Sequence, residues 1–152
     1  MRTSVFKSIL ILVSFLCLPG LYAQERFSEI DGQKFRIKEF GTGDVTVIFE
    51  SGMSDSLEAW GFIPDSVAKF ARVFLYDRAD IGKSDSSRQI RTIPNMVTEL
   101  KSILTNEKIG PPYVFAAHSM GGYIARYYSG QFPGEVNGIL LIDPAPEAYW
   151  EN

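Results

Sequence analysis

A strand that runs directly into a helix constrains this chain more than any other feature. Tyr113–Ala117 is apolar throughout, His118-Ser119-Met120 turns, and Gly121–Gln131 reads as a helix with no loop between them. An apolar strand without polar alternation must be covered on both faces, which calls for a sheet between layers of helix. The alternation recurs along the chain. Val45–Phe49 and Val73–Tyr76 read as further buried strands, and Gly138–Ile142 as another strand. Between them fall a helical stretch from Leu57 to Phe70, interrupted near Pro64, and a helix over Met96–Leu104 that Pro94 opens. Phe27–Ile30 and Lys34–Phe40 flank Asp31-Gly32, a two-residue hairpin signature. Parallel strands joined by right-handed crossovers follow. The expected fold is α/β: a mostly parallel sheet with flanking helices and an N-terminal antiparallel hairpin. Ligands bind such sheets at the carboxyl ends of the strands. That directs attention to the turns after Phe49, Tyr76, Ala117 and Ile142.

Residues 1–23 differ from the rest. Arg2 and Lys7 supply a positive start, Ile9–Leu18 is apolar but for Ser14, and Pro19-Gly20 ends the run. This is the layout of a secretory signal peptide cleaved after Ala23, so the protein is expected to be secreted or periplasmic. The run is too short for a stable membrane span, which needs roughly 20 apolar residues. A lipoprotein reading would modify Cys17, but Phe15 and Leu16 are bulky where small residues are wanted.

Composition removes several function classes. The chain has 1 Cys and 1 His, Cys17 and His118. No intrachain disulfide can form, and no zinc finger or multi-histidine metal site can be assembled. The 15 basic residues against 18 acidic ones, with no basic cluster, argue against nucleic acid as a partner. Asp77, Asp80 and Asp85 are interspersed with Arg78 and Lys83, which does not make a calcium loop. No metal and no cofactor are implied.

The turn Ala117-His118-Ser119-Met120-Gly121-Gly122 has the context of a nucleophile elbow, usually Gly-x-Ser-x-Gly between a strand and a helix. The central Ser sits on a sharp, strained turn, and the residues two before and two after it approach each other and the neighbouring strands. Ala117 and Gly121 fill those small positions, and Gly122 lets the helix pack closely on the sheet. Such a turn aims the Ser119 hydroxyl over the sheet at a helix N-terminus. There the helix dipole and the Met120 N–H can stabilise a developing oxyanion.

On these residues the chain resembles the α/β-hydrolase fold superfamily, in particular serine-nucleophile hydrolases with a Ser-Met-Gly-Gly elbow. Two further segments carry the resemblance. Val47–Met53, with Glu50-Ser51-Gly52-Met53, looks like the family's third strand and oxyanion loop. Tyr76–Asp85 is similar to the Asp-Arg-x-Gly-x-Gly-x-Ser stretch after the fourth strand, with Asp80 where that stretch usually has Gly, which predicts a local change in the turn. The resemblance implies Ser119 as nucleophile, the backbone N–H groups of Met53 and Met120 as the oxyanion hole, and a small-molecule acyl substrate. It also implies that residues 24–152 are the N-terminal portion of an α/β-hydrolase domain, truncated at the C-terminus before a lid region, two further strands and their helices. Aspartate-nucleophile branches, the haloalkane dehalogenases and epoxide hydrolases, are set aside by Ser119. Arg78 is expected to pair with Asp77, Asp80 or Asp85.

The remaining triad members are not evident. Family order is Ser, then Asp or Glu, then His. No His follows Ser119, and consecutive side chains in an elbow diverge, so His118 is expected to pack beside the elbow, or else to line the pocket, rather than serve as base. Asp143 is the candidate acid, against a structural or capping role before Pro144-Ala145-Pro146; Glu147 and Glu151 are further candidates. Two readings follow. The first is a serine hydrolase acting on ester or related acyl bonds, incomplete as given because its acid and His lie beyond the chain end. The alternative is a non-catalytic binding protein or a nonfunctional hydrolase fragment.

Overall fold

The computed structural model describes residues 24–146. The expected signal peptide over residues 1–23, and the candidates Glu147 and Glu151, lie outside the described residues. Six strands form one sheet: β1 (Gln24–Ile30), β2 (Gln33–Phe40), β3 (Thr46–Glu50), β4 (Arg72–Tyr76), β5 (Tyr113–His118) and β6 (Val136–Ile142), in the order β1-β2-β4-β3-β5-β6. β1 and β2 are antiparallel about Asp31-Gly32, both with positive φ (50° and 73°). That is the backbone a tight hairpin matched to strand twist requires. β2 runs antiparallel to β4, while β3, β4, β5 and β6 are parallel.

Helices α1 (Ile63–Val67), α2 (Ile93–Asn106) and α3 (Gly121–Gln131) cover the sheet. Side chains alternate across each strand, and two apolar clusters result. Ile48, Phe74 and Phe115 face Leu100, Ile103 and Leu104 of α2 and Ile124 and Tyr128 of α3. Phe49, Val73, Leu75 and Ala116 face the opposite way, against Leu57 and Trp60. The expected α/β sandwich is therefore present. Thr92 caps α2, its side chain accepting from the Asn95 N–H, and Pro94 stands in the first turn, where its missing N–H costs nothing.

One element differs from expectation. Leu57–Phe70 is not a single interrupted helix. It is a 3₁₀ turn over Leu57–Trp60 and the short α1, parted at Gly61 with φ 54°. Pro64 lies inside the first turn of α1 and starts that helix instead of breaking it.

The order β4-β3-β5 places a topological switch at β3: the chain leaves β3 to one side for β4 and returns to its other side for β5. Crevices at such switch points are where open α/β sheets bind ligands. The loops after β3 and β5 therefore meet there.

The hairpin is tied to the body through the buried Arg36 guanidinium, which pairs with Glu25 of β1 (2.8 Å), with Glu58 of the 3₁₀ turn and with Asp77 (3.4 Å). Hydrogen bonds from Arg36, then from Lys83, hold the Glu25 carboxyl down at about 2. Arg36 likewise holds Glu58 at about 2. Carboxyls depressed in the fold contribute stability that is complete above their ordinary pKa and is lost as pH falls through the folded value. Thermal melts followed by circular dichroism should therefore show the midpoint falling as pH drops from about 4.5 to about 2. The double variant Glu25→Gln/Glu58→Gln should show a shallower acid dependence. An identical slope in variant and parent would remove these pairs from the account of acid stability.

Candidate active site

Ser119 is the hinge between β5 and α3. Its φ is 51°, a left-handed conformation that costs a residue with a side chain roughly 1–3 kcal/mol. Neighbours hold it there. The Ser119 N–H donates to the Ile142 carbonyl at the end of β6 (3.1 Å), and its carbonyl accepts from the N–H groups of Gly122 (3.1 Å) and Ala145 (3.3 Å). The side chain is half-buried, at the N-terminus of α3.

The small residues around it each have a reason. A Cβ on Gly121 would lie 2.3 Å from the Glu50 carbonyl oxygen and 2.9 Å from that of Ser51. Helix α3 therefore begins hard against the end of β3. A Cβ on Gly122 would lie 3.2 Å from Leu141 Cδ2 and 3.5 Å from Pro144 Cβ. Ala117 is fully buried between Glu50 on β3 and Leu141 on β6. The turn from β5 into α3 is thus walled closely by the ends of β3 and β6.

The loop after β3 is held from beneath by Arg78. Its guanidinium is almost fully buried and pairs with the fully buried Glu50 at 2.6 Å. It also donates to three successive carbonyls: Ser51 (2.8 Å), Gly52, and Met53 (3.1 Å). Glu50 accepts a second hydrogen bond, from the Tyr76 hydroxyl (2.6 Å). Trp60 Nε1 donates to the Ser51 hydroxyl (2.9 Å) from the other face of the sheet. Burial pushes the Glu50 carboxyl up, with the Arg78 charge and the two hydrogen bonds pulling the other way. Burial, and then the Glu50 charge, push the Tyr76 hydroxyl well above its ordinary value. Burial works against the Arg78 charge, but the charge and hydrogen bond of Glu50, with Tyr76 and Glu99, together outweigh it and keep the guanidinium cationic.

Arg78 thus departs from expectation: its partner is Glu50, not Asp77, Asp80 or Asp85. Those carboxylates are engaged elsewhere. Asp77 is buried and accepts from the N–H groups of Leu57 (2.8 Å) and Lys83 (3.0 Å). Asp80 accepts from Ser87 N–H (2.9 Å) and Asp85 from Lys34 N–H (2.8 Å). Asp80 has φ 69°, the left-handed conformation that a glycine would also supply. Gly82, with φ 56°, has no room for a side chain, since a Cβ would fall 2.1 Å from Asp77 Oδ2. Glu50 is the residue that sequence reasoning passed over. Its one signal was a carboxylate at the end of an otherwise apolar strand.

The profile of the alpha/beta hydrolase fold matches residues 45–152. The chain belongs to the alpha/beta hydrolase fold family. It is 36% identical over 122 residues to the uncharacterized protein YqjL of Bacillus subtilis, covering 80% of this chain and 48% of that one. Among solved structures it is similar to Cfl2 of Burkholderia cenocepacia, with TM-score 0.75, 25% identity, and coverage of 83% of this chain and 43% of the other. It is also similar to Est816, an N-acyl homoserine lactone degrading enzyme, with TM-score 0.71, 26% identity, and coverage of 78% and 45%. The chain therefore spans about half the length of these relatives.

Other positions that would complete a hydrolase site are placed less favourably. Asp143 has φ 43° and is exposed after β6. Among the described residues its carboxylate meets no ion-pair partner. The His118 imidazole is half-exposed rather than packed away; Nδ1 lies 3.4 Å from Asp55 Oδ2, beside the loop after β3. Among the described residues no group of three or more His, Cys, Asp or Glu side chains could hold a metal ion, and no helix is long and apolar enough to cross a membrane.

The contact between Gly121 and Glu50 yields a test. Gly121→Ala must push α3 away from β3, and overpacking of this kind costs about 1–3 kcal/mol. The melting midpoint should fall accordingly, whereas Gly130→Ala, where a Cβ meets nothing within 4 Å, should leave it unchanged or raised. Equal midpoints for the two variants would mean the elbow has slack that the geometry does not show.

Proposed function

We propose that this hydrolase-fold chain carries the nucleophile and oxyanion hole of a serine hydrolase acting on ester or related acyl bonds of a small-molecule substrate. The observation that carries the reading is Ser119 itself: a side-chain-bearing residue in a left-handed conformation, clamped by Ile142 and Ala145, at the sheet's switch point. Strained residues persist where the surroundings over-determine them, and they gather at functional sites. The Ser119 hydroxyl adds to the acyl carbon while a base takes its proton. The Met53 and Met120 N–H groups stabilise the resulting oxyanion. Collapse expels the alcohol, which takes up that proton, and leaves an acyl-enzyme that water cleaves. Est816 is an N-acyl homoserine lactone degrading enzyme, and such a compound carries both an amide and a cyclic ester, so its likeness to this chain supports an acyl bond as the target.

The base is assigned to a histidine other than His118, since consecutive side chains in an elbow diverge and His118 directly precedes Ser119. The half-length match to the relatives supports this. Asp143 is not assigned as the acid, because it is exposed and, among the described residues, faces no imidazole. Residues 1–23 act as an export signal, supported by their charge and apolar layout. Amino-terminal sequencing of the secreted protein should begin at Gln24; a start at Met1 would remove the export reading.

The same lack of a second histidine favours an alternative, a protein that keeps the fold to bind acyl compounds without turning them over. Activity separates the two. In the whole protein, Ser119→Ala should lower kcat on p-nitrophenyl acetate by on the order of 10⁴-fold or more. Turnover within tenfold of the parent would sink the nucleophile assignment. His118→Gln should leave the shape of the pH–rate profile unchanged, because the limb near neutrality belongs to another histidine. Loss of that limb would make His118 the base.

A further inference from the structure

We infer that Arg78 is a positioning residue for the oxyanion hole: anchored on Glu50, its guanidinium sets the peptide between Gly52 and Met53 so that the Met53 N–H is presented to the Ser119 side. The inference rests on the proposal that Ser119 is the nucleophile and the Met53 N–H one oxyanion donor. It adds a residue that neither elbow nor oxyanion loop contains.

The argument begins with the planar trans peptide, in which C=O and N–H point in opposite directions. The Gly52 carbonyl accepts from Arg78 Nη2. The N–H of the same peptide is that of Met53, so it must point away from the guanidinium. The neighbouring peptides are held by the same group, through the carbonyls of Ser51 (2.8 Å, from Nη1) and Met53 (3.1 Å, from Nη2). Three successive peptides thus have their orientation set by one side chain.

The other side of the loop is the elbow. The Cβ position of Gly52 lies 3.0 Å from His118 Nδ1, and that of Gly121 lies 2.9 Å from the Ser51 carbonyl oxygen. The residues either side of the Ser119-Met120 pair therefore touch this loop. A turn hydrogen bond from the Asp55 N–H to the Gly52 carbonyl (3.3 Å) closes the loop above.

Glu50 explains why the clamp is stiff. Its carboxylate is fully buried at the end of β3 and takes Arg78 Nη1 on one oxygen and the Tyr76 hydroxyl on the other, each at 2.6 Å. Arg78 follows β4, the strand hydrogen-bonded to β3. Both ends of the ion pair are thus seated on the sheet, and the guanidinium cannot follow the loop if the loop moves. A planar fork of five donors suits this work; an ammonium does not.

The test uses the whole protein with p-nitrophenyl acetate and its thiono analogue. Sulfur is a larger and weaker hydrogen-bond acceptor than oxygen, so the ratio of kcat for ester over thionoester reports the quality of the oxyanion hole. Arg78→Lys keeps the positive charge beside Glu50 but cannot span the three carbonyls. It should lower kcat for the ester by on the order of 10²-fold, the scale for a displaced or lost oxyanion donor. KM should stay within about threefold, because the donor acts mainly in the transition state. The ester-to-thionoester ratio should fall toward one. If kcat and the ratio both stay within twofold of the parent while Ser119→Ala abolishes turnover, the inference is overturned and the nucleophile assignment stands. If both substrates slow equally, with the ratio unchanged and the melting midpoint lowered, Arg78 is structural only and the inference again fails. If Ser119→Ala keeps turnover, the nucleophile assignment fails and takes this inference with it. Should Arg78→Lys not melt cooperatively, Glu50→Gln replaces it: the guanidinium remains but its anchor is weakened. The ratio should then fall in the same direction by a smaller factor, and an unchanged ratio would overturn the inference.

Discussion

A single buried ion pair, Glu50 with Arg78, holds together the parts that matter in this molecule. Moving two charges out of water is costly, and their mutual attraction alone seldom offsets it. Here the remaining polar atoms are also satisfied. Glu50 accepts from Tyr76 as well as from Arg78, and Arg78 donates to three backbone carbonyls besides. Removing either partner would strand the other, which in buried pairs costs about 3–5 kcal/mol. The pair thus serves two ends. It joins β3 to the segment after β4, and it fixes the loop that faces the elbow.

The loop after β4 is organised by a second buried charge. Asp77 directs its carboxylate away from Arg78, to the N–H groups of Leu57 and Lys83 and to Arg36. Gly82 packs on that carboxylate with no space for a side chain. Adjacent residues of opposite charge therefore serve different parts: Arg78 supports the loop after β3, while Asp77 joins the 3₁₀ turn and the Arg36 side chain of β2 to the segment after β4. The strain at Ser119 is tolerable because the frame around it is rigid. Gly121 meets the end of β3, Ser119 meets the end of β6, and neither strand can move without disturbing the core of Ile48, Phe74 and Phe115.

Much of this architecture was legible in the sequence. The apolar strands over Val45–Phe49, Val73–Tyr76 and Tyr113–Ala117 match β3, β4 and β5 closely, and Asp31-Gly32 makes the hairpin turn. Those signals are local: burial on both faces excludes polar alternation, and a tight turn demands particular residues. The stretch from Leu57 to Phe70 was misread because Trp60 and Leu57 are held by the sheet through Phe49, Val73 and Leu75, a tertiary contact that overrides helical periodicity. Glycine at position 61 then allows the chain to bend there.

The pairing of charges was not legible. Arg78 has three aspartates within a few residues of it, and proximity along the chain favours them. The sheet instead brings Glu50 beside it, because β3 and β4 are parallel neighbours and their carboxyl ends emerge together. By itself, the sequence determined what depends on neighbours along the chain: the strands and helices, the hairpin, and a serine on a strained turn between strand and helix. The tertiary structure alone decided which charge meets which, why Gly121 admits no methyl group, and which loop faces that serine. Those contacts join residues distant in sequence, and only the order of strands in the sheet brings them within reach.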